Sequence, residues 1–497
     1  MFSQPIVSVA VLGGGSAGLL AALTLRRRLP ALAVRVVRSA EFGTIGVGEG
    51  TTLLFPEHLF EYLGLSPADF FAVAQPTWKL GLRFFWGPRE RFFYTFTNQF
   101  DARLTELPLG HGFYCDESCD DTDAVSALAA RVRCFPDTGA GFPRIIPGSF
   151  GFHIENRKLI AFLEAACRAV GVQMTDATIA RVETGGEGVV ALVAESGERI
   201  AADLFVDASG FRAELVGRAL GEPWVDFSRA LFTDRAVIGG WERTTEPILP
   251  YTTAETMDAG WAWQIEHEHF INRGYVHASA EISDDAAREE LVRKNPKIGE
   301  TRVVKFRSGR LARHFVKNVV AVGNSSGFVE PLEATALAQL VLELRRLVDV
   351  LVDTRLQPTA SMVALYNRGV AEAWDAIRDF LAMHYRCNTR LDTPFWRRCR
   401  AETDIGDLAE FLAFFGENGP SGIARRTLPP GAELFDLQGY LALLIGMRVP
   451  YRGSGLASAE ERRIWAGFTA QNGAAAERGL TVAQCLAAIR HPAWSWG

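Results

Sequence analysis

"PIVSVAVLGGGSAGLLAALTLRRRL", residues 5–29, is the stretch that decides the fold class. Ile6 to Leu12 form a short, Val-rich apolar run of the kind buried on both faces of a parallel sheet, and a helical pattern starts directly after it. Between the two, Gly13-Gly14-Gly15-Ser16-Ala17-Gly18 satisfies G-x-G-x-x-G in the strand-then-helix setting that gives the motif meaning. Gly13 makes the tight turn, Gly15 lets backbone N–H groups approach a pyrophosphate, and Gly18 allows close packing of helix on strand. The helix N-terminus, at Ser16 and Ala17, then faces an anion. Arg26 to Arg28 close the helical pattern, where cations suit a helix C-terminus. An α/β fold with a dinucleotide site is the expectation.

The second strand should end, about 20 residues past the glycines, in an acid that holds ribose hydroxyls. It ends instead in Arg38. An arginine there suits the 2′-phosphate of NADP, whereas an FAD site would hold its ribose through Ser39, Glu41 or backbone groups; position alone leaves both open. In "TIGVGEGTT", residues 44–52, Gly46, Gly48 and Gly50 interrupt an apolar stretch, as backbone running close to a ligand would require, which makes Gly48 and Glu49 candidate cofactor contacts. "ADLFVDASGFRAEL" runs a strand into Asp207 and Gly210, and "NVVAVGNSSGFVEPLEATAL" runs another into Gly323. Three such exits describe one composite cleft. The segments between them point to a discontinuous nucleotide-binding module over 1–345, with substrate-sheet insertions at about 80–150 and 216–300, followed by a helical region over 346–497.

Composition narrows the class. The chain has 497 residues, 48% of them hydrophobic and 22% charged, with a net charge of −6 and no long block of like charge, so neither a nucleic-acid nor a membrane surface is expected. Seven scattered cysteines argue against a disulfide framework and for a reducing cytoplasm. Cys115 and Cys119 lack a second pair at zinc spacing, so no metal is expected. No secretory signal or membrane-length apolar run is visible. A hydrolase is not the expectation. His153 and His384, single histidines in apolar settings, read as packed or surface residues.

The combination of Gly13 to Gly18, "GVGEGT", "PTWKLGLRF" with Lys79, "GWAWQI" with Trp261 and Trp263, and "GFVEPLEAT" with Glu333 resembles the flavin-dependent tryptophan halogenase family. The resemblance runs from residue 6 to at least the "AWDAIRDFLAMHY" and "DTPFW" segments. It implies an FAD-binding Rossmann-like fold of the aromatic-hydroxylase type, with an interleaved β-sheet layer and a mostly helical substrate-binding part. It implies further that a separate flavin reductase supplies FADH2, which with oxygen converts chloride or bromide to hypohalous acid. Lys79 then binds or captures the halogen beside an electron-rich aromatic, tryptophan or another indole, and Glu333 assists the electrophile or accepts the arene's proton. Trp261 and Trp263 bar the substrate from the flavin, and Thr335 with the Ala336 N–H holds the halide.

The residues support this allocation independently. Nearly all positive charge in the chain is arginine, so Lys79 is not background usage; an amine can hydrogen-bond hypohalous acid or form a haloamine, and a guanidinium does neither well. Glu330 precedes Pro331 and reads as a backbone-holding residue, while Glu333 is expected in the first turn of a helix. Trp261 and Trp263, two apart, share a face if their segment is a strand. Phe92, Phe93, Tyr94, Phe96 and Phe100 offer aromatic surface for an indole or phenol. Two motifs depart from the family pattern. Ile265 is followed by Glu266-His267 rather than proline, and Ala334-Thr335-Ala336 replaces a serine and a Thr-Gly step, which predicts better use of bromide than of chloride. Two rivals remain: an NADPH-dependent aromatic hydroxylase of the same fold, and a flavin-binding protein without turnover.

Overall fold

In the computed structural model the described residues are 2, 4–39, 48–97, 106–109, 111–115, 120–453 and 456–496. Glu41, Gly46, Phe100 and Cys119 lie outside them. A six-stranded sheet carries the chain's first strand, Ser8–Leu12, near its centre. That strand runs parallel to Ala33–Arg38 on one side and Leu204–Asp207 on the other. Val319–Ala321 and Gln173–Asp176 extend the parallel array, and the edge strand Phe315–Val316 is antiparallel. Val9, Ala10 and Val11 are fully buried, as a strand covered on both faces demands. The helix Ser16–Arg28 buries Gly18 to Leu25 and packs on Asn156–Ala169 and Ala336–Asp353.

The three glycine exits converge at the C-terminal end of the parallel strands. A Cβ on Gly13, at φ +129°, would fall 2.2 Å from the Ala208 carbonyl oxygen, and one on Gly18 would fall 1.9 Å from the Gly13 oxygen. A Cβ on Gly323 would meet Ala17 at 3.0 Å, and the Ser325 hydroxyl donates to the Gly210 carbonyl at 3.1 Å. These contacts require glycine at positions 13 and 18, the first because its backbone is left-handed and crowded at once.

A second, seven-stranded sheet is drawn from residues 81–95 and 235–305, with Thr252–Met257 parallel to Gly81–Phe85 and its other pairs antiparallel. Glu49–Gly50, Gly151–Ile154 and Thr77–Lys79 form a small three-stranded sheet. His153 Nε2 and Thr252 Oγ1, 2.8 Å apart, bind the small sheet to the large one. The remaining chain is mainly helical, including the 28-residue helix Ala360–Cys387 and the apolar helix Asp436–Gly446. Among the described residues no helix is long and apolar enough to cross a membrane.

Candidate functional site

At the glycine exit of the first strand, the helix that starts at Ser16 has no side-chain cap and no acid in its first turn. Its first N–H groups are therefore free to meet an anion. Gly15 precedes them, and a Cβ there would meet nothing within 4 Å. This open, donor-rich turn is the shape a pyrophosphate needs. Arg38 is already engaged: its Nε donates to Asp176 at 2.7 Å and its Nη1 lies 2.8 Å from Glu164, which holds the guanidinium pKa above its ordinary value. Two carboxylates on one guanidinium leave little charge for a 2′-phosphate. Ser39 Oγ and Thr178 Oγ1 are 2.7 Å apart. Gly48 abuts His267 and Asn272, and the Glu49 carboxyl accepts from Asn156, with burial pushing its pKa up to about 7.

Asp207 is bound by its own turn. One carboxylate oxygen accepts from the Ser209 N–H and hydroxyl, and the other from the Leu215 and Val216 N–H groups at 2.8 and 3.0 Å. The side chain thus shapes the turn of its own exit. Gly323 is held in a similar way by Glu343, which accepts from the Gly323 N–H at 2.8 Å, the Ser326 hydroxyl at 2.6 Å and the Trp374 indole at 3.1 Å. Burial raises the Glu343 pKa to about 7. Its importance was legible in principle, because a glutamate interrupts the apolar face of the helix Ala336–Asp353 at a buried position.

The second centre lies where the small sheet meets the loop after Gly323. Lys79 ends the strand Thr77–Lys79, is fully buried, and its Nζ has no hydrogen-bond partner among the described residues. Desolvation lowers its pKa to about 8, against the attraction of Glu333. The Phe96 ring lies 5.2 Å from Nζ. A Cβ built on Gly50 would sit 3.7 Å from Lys79 Nζ and 3.1 Å from the Ala334 Cβ, so the ammonium and the Glu333 turn share one wall. Small size at position 50 keeps that wall open.

Glu333 is not in the first turn of a helix. Residues Leu332–Ala334 form a short 3-10 turn in which Glu333 has φ +71° and Ala334 φ +55°, and the helix begins only at Ala336. A left-handed glutamate is uncommon, and it turns the carboxyl inward, where 3% of the residue is exposed. Glu330 holds side chains rather than backbone. It accepts from the Thr233 hydroxyl, from Trp261 Nε1 at 2.9 Å and from the Tyr385 hydroxyl at 2.5 Å, and burial raises its pKa. Trp261 and Trp263 share a face of the strand Gly260–Glu266, with centroids 6.1 Å apart. Glu266, where the pattern has proline, is neutralised by Arg243 at 2.5 Å and bound by Gln264 at 2.6 Å.

Thr335 is buried and Ala336 exposed, and the Thr335 hydroxyl makes no cap bond, so the N–H groups opening the helix Ala336–Asp353 remain available. Phe92 stacks on Phe84 at 5.1 Å, whereas Phe93 faces Tyr251 on the other side of the strand. Tyr94 sits 6.5 Å from Phe380, and burial together with Glu333 holds its hydroxyl protonated well above the usual range. His153 is a packed histidine, kept neutral chiefly by burial. His384 is more than packed: its Nε2 lies 2.9 Å from Glu333 Oε1.

The fold is α/β, with an open, donor-rich glycine turn at a helix N-terminus and a buried cluster of lysine, glutamate and histidine. Residues 8–461 match the family model described as tryptophan halogenase. The chain is 33% identical over 431 residues to tryptophan 7-halogenase KtzQ of Kutzneria sp. (strain 744), covering 80% of each. MibH, a lanthipeptide tryptophan 5-halogenase, superposes with a TM-score of 0.88 at 37% identity, over 98% of this chain and 94% of its own. BrvH, a flavin-dependent halogenase from Brevundimonas sp. BAL3, superposes with a TM-score of 0.85 at 30% identity, over 97% and 99% of the two chains. The chain belongs to the tryptophan halogenase family.

Proposed function

We propose that this protein halogenates an electron-rich aromatic, tryptophan or another indole, using FADH2 from a separate reductase, oxygen and halide. The observation that carries the proposal is Lys79: a buried ammonium with no hydrogen-bond partner among the described residues, beside Glu333. A charge left without a partner is costly in a fold and is retained where a ligand uses it. FAD, when bound in its reduced form, would supply two of the four electrons that reduce oxygen, the halide giving the other two. Gly13, Gly15, Ser16, Ala17 and Gly18 would hold its pyrophosphate, with Ser39, Gly48, Glu49 and Gly323 along the same cleft.

The chain's own residues do the rest. Lys79 donates a hydrogen bond to hypohalous acid and fixes its halogen toward the ring. As the ring's electrons take the halogen, the departing hydroxide takes a proton from the ammonium and leaves as water. Glu333 accepts the proton that the substituted ring must lose. Trp261, locked by Glu330, and Trp263 form the apolar barrier that keeps the arene from the flavin. Thr335 and the Ala336 N–H hold the halide, chloride or bromide, and a competition assay with both ions decides between them. Arg38, bound to Glu164 and Asp176, gives the NADPH-dependent reading no support.

The test supplies an independent reductase, FAD, NADH, oxygen and bromide or chloride with a panel of indoles and phenols, followed by mass spectrometry. Halogen isotope doublets are expected. Lys79→Ala abolishes them, and Glu333→Gln lowers the rate by about 10²-fold or more, in the range typical for loss of an acid–base group. Hydroxylated products that form without halide would overturn the assignment.

A further inference from the structure

The imidazole of His384 stands in an unusual bonding position. Its Nδ1 lies 2.7 Å from the carbonyl oxygen of Phe380, one turn earlier in the same helix. A carbonyl oxygen only accepts, so Nδ1 carries a proton. Nε2 faces Glu333 Oε1 at 2.9 Å. A bare imidazole nitrogen and a bare carboxylate oxygen would repel at that distance, so a second proton lies between them. Glu333 and His384 therefore share one proton beyond that on Nδ1, whichever atom it sits on, and the pair is electrically neutral.

No other outlet for that proton exists on the ring. His384 is fully buried, and Phe84, Trp86 and Phe380 close around it with centroids 5.7, 5.8 and 5.0 Å away. Among the described residues the ionisable groups around the pair are Lys79 from the small sheet and Tyr94 from the large sheet, both acting on Glu333, Glu330 from the turn before it, acting on His384, and Tyr385, the next residue of the same helix. Tyr385 is bound to Glu330, and Lys79 alone among the four is a base able to receive a proton from the pair near neutral pH.

We propose that His384 is the positioning residue that stores the arene's proton behind Glu333, and that the stored charge replaces the one Lys79 gives up. The proposal rests on the halogenase reading above. When the ring attacks the halogen, the oxygen–halogen bond breaks, its electron pair stays with the hydroxide, and that hydroxide takes a proton from Lys79 to leave as water. The substituted ring then releases its proton to Glu333 Oε2, and the C–H electron pair restores aromaticity. The shared proton moves fully from Oε1 to Nε2. Glu333 ends as a neutral acid and His384 as an imidazolium. Lys79 changes from ammonium to amine as the pair changes from neutral to cationic, so the buried cluster holds one positive charge before and after. A proton returned from the pair to Lys79 resets the site.

His384→Gln separates holding from storing, because its amide N–H still donates to Glu333 but cannot take up the proton. In the reductase-coupled assay the wild type turns over, and His384→Gln is expected to keep FAD binding and the arene KM within about twofold. It loses about tenfold or more in kcat, a modest share of the usual acid–base range, and its acidic limb in the pH profile moves by about one unit. Unchanged kcat with an unchanged pH profile would overturn the proposal. A second readout needs no cofactor or turnover: histidine 15N NMR of the free protein, assigned by difference with His384→Gln. It should show Nδ1 protonated throughout and Nε2 moving when Glu333 becomes glutamine. A neutral ring protonated only on Nε2 would refute the shared proton. If the wild type makes no halogenated product, the functional reading fails, and the NMR result still decides for or against the shared proton.

Discussion

Lys79 shows what a buried charge does to a single residue's thermodynamics. Its pKa falls from 10.5 to about 8, chiefly through desolvation. The unfolded chain keeps this proton up to about pH 10.5, whereas the fold releases it near pH 8, so unfolding takes up a proton between those values. Stability from this group therefore rises with pH across the window. The cost of the charge is fully present below pH 8 and absent above 10.5. At 1.36 kcal/mol per unit it amounts to roughly 3 kcal/mol. Lys79→Met, which keeps the stem and removes the charge, is expected to abolish halogenation yet raise stability at pH 7 by up to about that amount. Denaturant unfolding of both proteins at pH 7 and pH 10 checks this, and the gain must shrink at the higher value. An equal difference at both values would mean that the ammonium is solvated in the fold.

Among the elements, the strand, glycine turn and helix of residues 8–28 were legible because each step is local: apolar run, steric need for glycine, helical periodicity. The Trp261 and Trp263 pair was legible for the same reason, since strand alternation alone puts both on one face. Glu333 was misplaced because proline and two glutamates before an apolar run imitate a helix start, while the structure inserts a left-handed turn first. His384 was missed because its meaning comes from a partner 51 residues away, which no local pattern announces. The same glycines give a test of the anion cradle. Gly15 has extended backbone and open space, so Gly15→Ala should leave the melting temperature of the cofactor-free protein within about 2 °C, since alanine and glycine differ by only tenths to about 1 kcal/mol as caps. It should nevertheless weaken FAD binding by about tenfold or more, read by flavin fluorescence, because the methyl occupies the ligand's space. Gly13→Ala should destabilise the fold itself, since its Cβ would strike the Ala208 carbonyl. Equal FAD affinity in wild type and Gly15→Ala would remove the cradle from the cofactor site.

At the scale of the molecule, one continuous segment joins the two centres. Gly323 lies against Ala17 at the C-terminal end of the parallel strands, and ten residues later Glu333 lies beside Lys79. Between them Glu330 locks Trp261 from the large sheet and Tyr385 from the long helix, so the segment is braced by both layers it connects. Such an arrangement suits an oxidant made at one end and used at the other without release. Lys79, Trp261, Trp263 and Glu333 are each 3% exposed or less, and a soluble reagent has little access to them. Under the proposed function, an excess of a soluble halogen-accepting dye should leave product formation by the wild type within about twofold, because the oxidant meets Lys79 before it meets bulk water. Lys79→Ala removes the group that holds the oxidant while leaving its source intact. Halogenation of the dye should then rise as arene product disappears, with FAD turnover sustained. If the dye suppresses product formation in the wild type by tenfold, the oxidant travels through solvent, and the separation of the two centres has no protective role.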